Sequence, residues 1–151
     1  MQASRYIVRG AVEKARGAAA ISHPLNPEAT HRTISLGDAT ALATVGVHLN
    51  VVAPGSLTTE LHSHAFVDEF IYILSGVATV FLDEEEFSAG AGDFIGLPAR
   101  GPAHCMRNTG TEDLVYLVGG NRPAFDVCNY PRQGKRLYAY DSAEGRARDF
   151  V

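Results

Sequence analysis

The chain has little of what several large classes of protein require. It carries two cysteines, Cys105 and Cys128, in 151 residues, so a disulfide framework does not hold it together. Thirteen Lys and Arg stand against seventeen Asp and Glu, and the net charge of -4 disfavours nucleic acid and anionic membranes as partners. No apolar run approaches the roughly 18 residues that a membrane-spanning helix needs. We therefore expect a cytoplasmic protein that binds neither nucleic acid nor membrane.

Glycine and proline, in contrast, are well represented and separate short apolar runs. Fifteen glycines and seven prolines punctuate runs that are mostly four to eight residues long, a pattern typical of antiparallel strands. The runs are 41–52, 69–74, 77–82, 94–97, 104–107 and 114–118. They predict an all-β barrel or sandwich rather than a parallel sheet with helical crossovers.

The length predicts a single domain, residues 1–151, with three parts. Residues 1–33 are predicted to form an N-terminal arm with a short helix around residues 11–20. Residues 34–120 are expected to form the barrel, and residues 121–151 a C-terminal tail that packs on it.

The run 69–74 is apolar on both faces of the predicted strand. Alternation places Phe70, Tyr72 and Leu74 on the face opposite Glu69, Ile71 and Ile73. Either the N-terminal arm or a second subunit must cover the outer face. We predict a homodimer.

A short histidine motif carries the clearest chemical signal. His62 and His64, two residues apart on a strand, project to the same face, and Glu69 can return to that face from the next strand. His104 is a fourth candidate ligand, at the start of another short apolar run. Imidazoles and one carboxylate are typical ligands of a divalent first-row transition ion.

Two glycine-framed segments then resemble the two conserved motifs of the cupin superfamily. The first is Gly55-x6-His62-x-His64-x4-Glu69-x6-Gly76, and the second is Gly92-x5-Pro98-x2-Gly101-x2-His104-x3-Asn108. Each has one residue more than the usual pattern, between Gly55 and His62 and between Pro98 and Gly101. Both extra residues fall in predicted turns, where they alter loop shape more than ligand placement.

The resemblance implies a cupin double-stranded β-barrel, or jelly roll, around one divalent transition metal ion such as Zn, Mn, Fe or Ni. The matching positions would make His62, His64, Glu69 and His104 the metal ligands. Asp68 competes with Glu69 on spacing, but strand parity sends it to the opposite face, so Glu69 is preferred.

Segments 36–40, 68–76 and 126–137 are similar to small single-barrel cupins assigned as sugar phosphate isomerases. The likeness implies an aldose–ketose isomerase whose metal chelates adjacent oxygens of a small-molecule substrate such as a sugar phosphate. Two alternatives use the same ligands: a non-haem iron cupin dioxygenase, and a non-catalytic cupin that binds a small metabolite or carbohydrate.

Isomerisation also requires a base, for which two catalytic candidates stand out. His48 comes first, because it lies mid-strand and shares parity with Asn50, a candidate substrate-binding residue. An outer-face or interface position for His48 stays open. Tyr72 is the weaker candidate, since its parity opposes the ligand face.

A phosphate group would need cationic side chains near the metal. Arg100 lies in the loop before His104 and Arg107 follows it on the strand, so both are candidate substrate-binding residues. A solvated surface position is the alternative for each arginine. Asn108, at the end of the second motif, either caps a turn or contacts substrate.

Overall fold

The computed structural model describes the backbone of residues 2–151 and the side chains of residues 4–151. Strands dominate this part of the chain, which confirms the all-β prediction. The helices are a 3₁₀ helix (Gln2–Tyr6), α1 (Ala11–Gly17) and α2 (Leu36–Ala39). The strands are β1 (Ile21–His23), β2 (Asn26–Ser35), β3 (Val45–Val52), β4 (Ser63–His64), β5 (Glu69–Ser75), β6 (Val77–Leu82), β7 (Glu85–Gly90), β8 (Phe94–Leu97), β9 (His104–Asn108), β10 (Leu114–Asn121), β11 (Phe125–Tyr130), β12 (Lys135–Ser142) and β13 (Gly145–Phe150). Within the described residues, no helix is long and apolar enough to span a bilayer.

The strands form two walls of a jelly roll. The first wall is the six-stranded sheet β1-β2-β3-β10-β5-β8. The second combines the sheets β7-β6-β9 and β4-β11-β12-β13. These two sheets meet where the backbones of His62 and His104 exchange hydrogen bonds of 3.2 and 2.8 Å. From β3 to β11 the chain passes repeatedly from one wall to the other, which brings residues distant in sequence into one interior.

The inner faces of the two walls meet in an apolar core. Alternate side chains of a strand point to opposite faces, so the buried residues identify the inner face of each wall. The first wall contributes Val52, Ile71, Ile73, Leu114 and Tyr116, and the second contributes Ala78, Val80 and Met106. Glu69 has the same strand parity as Ile71 and therefore also faces the interior.

The N-terminal segment contributes both a helix and strands. The predicted short helix is present as α1, and its Ala15, at 0% exposure, packs on Leu49, Val51 and Val115 at the outer face of the first wall. Residues 26–35, most of which lie in the predicted arm, form β2 and pair with β3. Polar and apolar residues alternate here, as at Thr33 and Ile34, which is the pattern of a strand with one buried face.

The C-terminal segment supplies three strands of the second wall. β11 pairs with β12 on one side and with β4 on the other, so the predicted tail is an integral part of a sheet. Within residues 4–151, neither terminal segment covers the outer face of β5 and β8. Tyr72, Leu74 and Phe94 are 39%, 40% and 65% exposed there.

Candidate metal centre

Four side chains predicted as ligands converge inside the barrel. One ligand atom from each of His62, His64, Glu69 and His104 lies within 4.8 Å of the others. The His62 ring centroid is 5.0 Å from that of His64 and 4.5 Å from that of His104. Residues up to 42 positions apart in sequence therefore meet at one point, as the two motifs predicted.

The two walls contribute different ligands. His64 lies in β4 and His104 begins β9, and the backbone of His62 bridges to that of His104, so all three imidazoles belong to the second wall. Glu69 is the first residue of β5 in the first wall, where it pairs with Gly120. An ion held by all four side chains would connect the two walls.

Each of the three imidazoles is oriented by a hydrogen-bond acceptor at its Nδ1. The acceptors are the Glu60 carbonyl for His62 at 2.8 Å, the Asp126 carboxylate for His64 at 2.6 Å and the Pro102 carbonyl for His104 at 3.2 Å. Because Nδ1–H donates outward, Nε2 is the nitrogen left to face the shared centre. The Nε2 of His104 lies 2.9 Å from Glu69 Oε2.

Burial and neighbouring charges shift the pKa values of His62 and Glu69 in the directions that metal binding requires. Burial, followed by the neighbouring His104, lowers the pKa of His62 from 6.5 to about 3, so this imidazole is neutral at pH 7. Burial acts to raise the pKa of Glu69, but the hydrogen bond with His104 and the surrounding imidazoles lower it below its ordinary value. His62 and Glu69 therefore offer a neutral imidazole and a carboxylate to the shared centre.

Asp126 is a residue of this site that the sequence did not identify. Its Oδ2 accepts the 2.6 Å hydrogen bond from His64, its Oδ1 accepts a 3.0 Å bond from the Phe66 backbone N–H, and it is only 4% exposed. Burial acts to lower the pKa of His64, but the hydrogen bond with Asp126 raises it overall. The segment 126–137 carries a family likeness, but only the pairing of β11 with β4 places Asp126 beside His64.

The donor set fits a divalent transition ion. Three imidazole nitrogens and one carboxylate oxygen suit Zn, Mn, Fe and Ni, and each imidazole has the outer-shell acceptor that metal-bound histidines commonly have. His62 and His104 are 9% and 6% exposed, so their polar rings lie in the interior with the Nε2 atoms directed at one another and at Glu69. An ion at this centre would satisfy those nitrogens.

The inner face of the first wall also carries polar side chains near the ligands. His48 and Asn50 share strand parity on β3, and the pairing of Asn50 with Tyr116 places them on the core face. Asn50 donates to the Tyr116 hydroxyl at 3.1 Å, while its Oδ1 is buried without a hydrogen-bond partner. Burial lowers the pKa of His48, whose imidazole also senses the charge of Glu69. Both sequence candidates thus face the interior.

The other sequence candidates lie elsewhere. Tyr72 points to the outer face and does not reach the ligands, because its parity opposes that of Glu69. Asn108 is at 0% exposure and its side chain bonds to Val52, Gly110 and Glu112, which is the turn-capping arrangement. Arg107 has the strand parity opposite to His104 and donates to the Gly55 carbonyl at 2.6 Å.

Arg100 stays near the centre. We define the barrel mouth as the end of the barrel bordered by residues 65–68 and 98–102, the loops that precede Glu69 and His104. The backbone N–H of Arg100 donates to the His64 carbonyl at 2.7 Å, and its guanidinium lies 5.8 Å from the Phe66 ring centroid. Arg100 is therefore an exposed cation at the mouth.

Similarity to known proteins agrees with this geometry. A family model described as "Cupin domain" matches residues 48–120. The crystal structure of a "Putative sugar phosphate isomerase" from Acidithiobacillus ferrooxidans is 36% identical with a TM-score of 0.88, over 99% of this chain and 93% of that chain. A "sugar phosphate isomerase from a cupin superfamily" from Silicibacter pomeroyi is 26% identical with a TM-score of 0.77, over 87% of this chain and 85% of that one.

A curated protein with a different description is also similar. Auxin-binding protein 1 of Arabidopsis thaliana is 32% identical over 113 residues, which are 69% of this chain and 56% of that protein. The chain spans 56% of the length of each curated relative that it matches. The family model, the near-complete superposition on the Acidithiobacillus structure and the matched ligand motifs lead to one conclusion: the chain belongs to the cupin superfamily.

Proposed function

We propose that this protein is a metal-dependent aldose–ketose isomerase that acts on a sugar phosphate. The observation that carries the proposal is the convergence of three imidazoles and one carboxylate in an interior that His48 and Asn50 also line. The names of the Acidithiobacillus and Silicibacter relatives support the same substrate class. A cytoplasmic location and a homodimer accompany this proposal as predictions.

The metal ligands and the substrate-binding residues have separate roles in this reaction. A divalent ion held by His62, His64, Glu69 and His104 would polarise the adjacent carbonyl and hydroxyl oxygens of an open-chain sugar. Asn50, on the same face of β3 as His48, is the candidate for binding a further substrate hydroxyl, and its buried Oδ1 lacks a protein partner. Arg100 contributes positive charge at the mouth.

His48 moves the proton between the two carbons. Burial lowers its pKa, so at pH 7 the imidazole is neutral and can accept a proton. It takes the proton from C2 of the aldose as the C1=O bond becomes C1–O, and returns a proton to C1 as C2–O becomes C2=O. The hydroxyl proton passes from O2 to O1, so atoms and charge balance over the reaction.

Isotope incorporation tests this function. Metal-loaded protein is incubated in D₂O with hexose and pentose phosphates, and NMR follows deuterium at C2 of the aldose together with the appearance of ketose. We expect incorporation by the wild type and its loss in His48→Gln with metal content unchanged. Tyr72→Phe is the matched control, and we expect it to behave as the wild type because Tyr72 lies on the outer face.

Other outcomes would contradict the proposal in distinguishable ways. Oxygen uptake restricted to the iron-loaded protein would assign a dioxygenase. A ligand-induced rise in melting temperature without turnover would assign a binding protein. His62→Ala with His64→Ala should abolish metal retention, and stoichiometric metal in that double variant would overturn the ligand assignment itself.

A further inference from the structure

Arg148 on β13 faces the side of the second wall that holds the metal ligands. The register pairs Asp126 with Ala139 and Ala139 with Arg148, so these three residues lie on one face of three adjacent strands. Asp126 uses that face to contact His64. Since strands are spaced about 4.8 Å apart, Arg148 begins about 10 Å from Asp126, which an extended arginine side chain largely spans.

The charge of Arg148 reaches both walls of the barrel. Burial is the main cause of the lowered pKa of His48 on β3. Arg148 also lowers this pKa, with a smaller effect than Asp38, Arg122 and Glu69. Burial raises the pKa of Tyr130 on β11, and Arg148 opposes that rise. Side chains of both walls therefore sense the charge of Arg148.

The neighbouring arginines bind acceptors within the protein, whereas the Arg148 guanidinium does not. Arg146, two residues earlier on β13, donates to the carbonyls of Pro123 and Ala124 and to the Asp141 carboxylate. Arg122 forms an ion pair of 2.7 Å with Asp38. Among the side chains of residues 4–151, none accepts a hydrogen bond or forms an ion pair with the Arg148 guanidinium, which is exposed.

We propose that Arg148 binds the phosphoryl group of a substrate whose adjacent oxygens lie at the metal centre. This inference rests on the proposed function and defines its substrate as a phosphate monoester of a polyol or sugar. The planar guanidinium fork matches two phosphoryl oxygens, and no competing carboxylate of the described residues occupies it. Arg148 takes the role predicted for Arg107, whose guanidinium donates to the Gly55 carbonyl.

A phosphate titration distinguishes specific binding by Arg148 from a general effect of positive charge. The metal-loaded wild type and the variants Arg148→Gln, Arg148→Lys and Arg136→Gln are titrated with inorganic phosphate at low ionic strength by calorimetry. Arg136 is the matched control, because it lies on adjacent β12, pairs with Asn129 and faces the opposite side of the sheet. Circular dichroism and metal content confirm that each variant is folded and loaded.

We expect Arg148→Gln to weaken phosphate binding about tenfold or more, Arg148→Lys to be intermediate, and Arg136→Gln to stay within about twofold of the wild type. An unchanged affinity in Arg148→Gln, or equal losses in Arg148→Gln and Arg136→Gln, would overturn the inference.

Turnover then distinguishes this inference from the proposed function. A raised KM of Arg148→Gln for an aldose phosphate, with an unchanged KM for the unphosphorylated aldose, would support both. Arg148-dependent phosphate binding without any isomerisation would refute the isomerase and retain the phosphate site. Isomerisation with the same KM in wild type and Arg148→Gln would retain the isomerase and refute the phosphate site.

Discussion

Asp126→Asn is the substitution that best isolates the effect of an outer-shell residue on metal affinity. The carboxylate accepts the Nδ1–H of His64 at 2.6 Å and is 4% exposed. Its charge increases the electron density of the imidazole and holds Nε2 toward the shared centre. Asparagine has nearly the same shape, and its Oδ1 can still accept the hydrogen bond from the Phe66 N–H.

The loss expected from Asp126→Asn follows from that geometry. A charge-assisted hydrogen bond is roughly twice as strong as a neutral one, and outer-shell substitutions at metal sites weaken affinity about 10- to 100-fold. That range corresponds to about 1.4 to 2.7 kcal/mol of binding free energy. His62 and His104 keep their orienting acceptors and Glu69 is unchanged, so metal binding is weakened but not abolished.

Competition with a chromophoric zinc chelator measures this affinity at pH 7.5. The control is Asp149→Asn, which removes the same charge from the same sheet, where Asp149 instead accepts a 2.6 Å hydrogen bond from Tyr140. We expect Asp149→Asn to stay within about twofold of the wild type. Wild-type zinc affinity in Asp126→Asn, or an equal loss in both variants, would refute the positioning role of Asp126.

Three further predictions concern pH, a turn and the outer face. The pKa of His62 is about 3 in the folded chain and 6.5 in the unfolded chain, so below pH 6.5 only the unfolded chain gains this proton. Between pH 6.5 and pH 5, His62 should therefore lower the unfolding free energy of the metal-free protein by about 2 kcal/mol. Urea titrations at both pH values should show a smaller decrease of the unfolding free energy in His62→Gln. Gly76 has φ 94°, and an added Cβ would lie 2.7 Å from the Asp113 carbonyl oxygen. Gly76→Ala should therefore destabilise the fold by about 2 kcal/mol or more. An unchanged melting temperature would contradict this prediction. The exposed Tyr72, Leu74 and Phe94 support the predicted homodimer. Light scattering should give twice the chain mass for the wild type and the single-chain mass for Leu74→Asp. A monomeric wild type would refute the homodimer.

Local sequence was sufficient to predict most strands between residues 41 and 118 and the candidate metal ligands. The strand period of two places His62 and His64 on one face, and the same period separates Glu69 from Asp68 and Tyr72. Glycines such as Gly76, at a positive φ, marked the turns between strands. These features depend on neighbours a few residues away, so they are readable without knowledge of the fold.

Residues that act through distant partners could not be predicted in this way. Nothing local distinguishes Asp126 from other acidic residues, and its role arises because β11 pairs with β4 across 62 positions of sequence. Arg107 looked well placed beside the second motif, but its strand parity turns it toward Gly55.

By itself, then, the sequence determined the all-β class and identified the four candidate ligands and the candidate base His48, since strand alternation and motif spacing are short-range properties. Only the tertiary structure decided which walls the ligands join, that β2 and β11–β13 belong to those walls, and that Asp126 and Arg148 share a face with the metal ligands. The physical reason is that sheet register joins residues through backbone hydrogen bonds between strands far apart in the chain, and side-chain type alone does not encode that register.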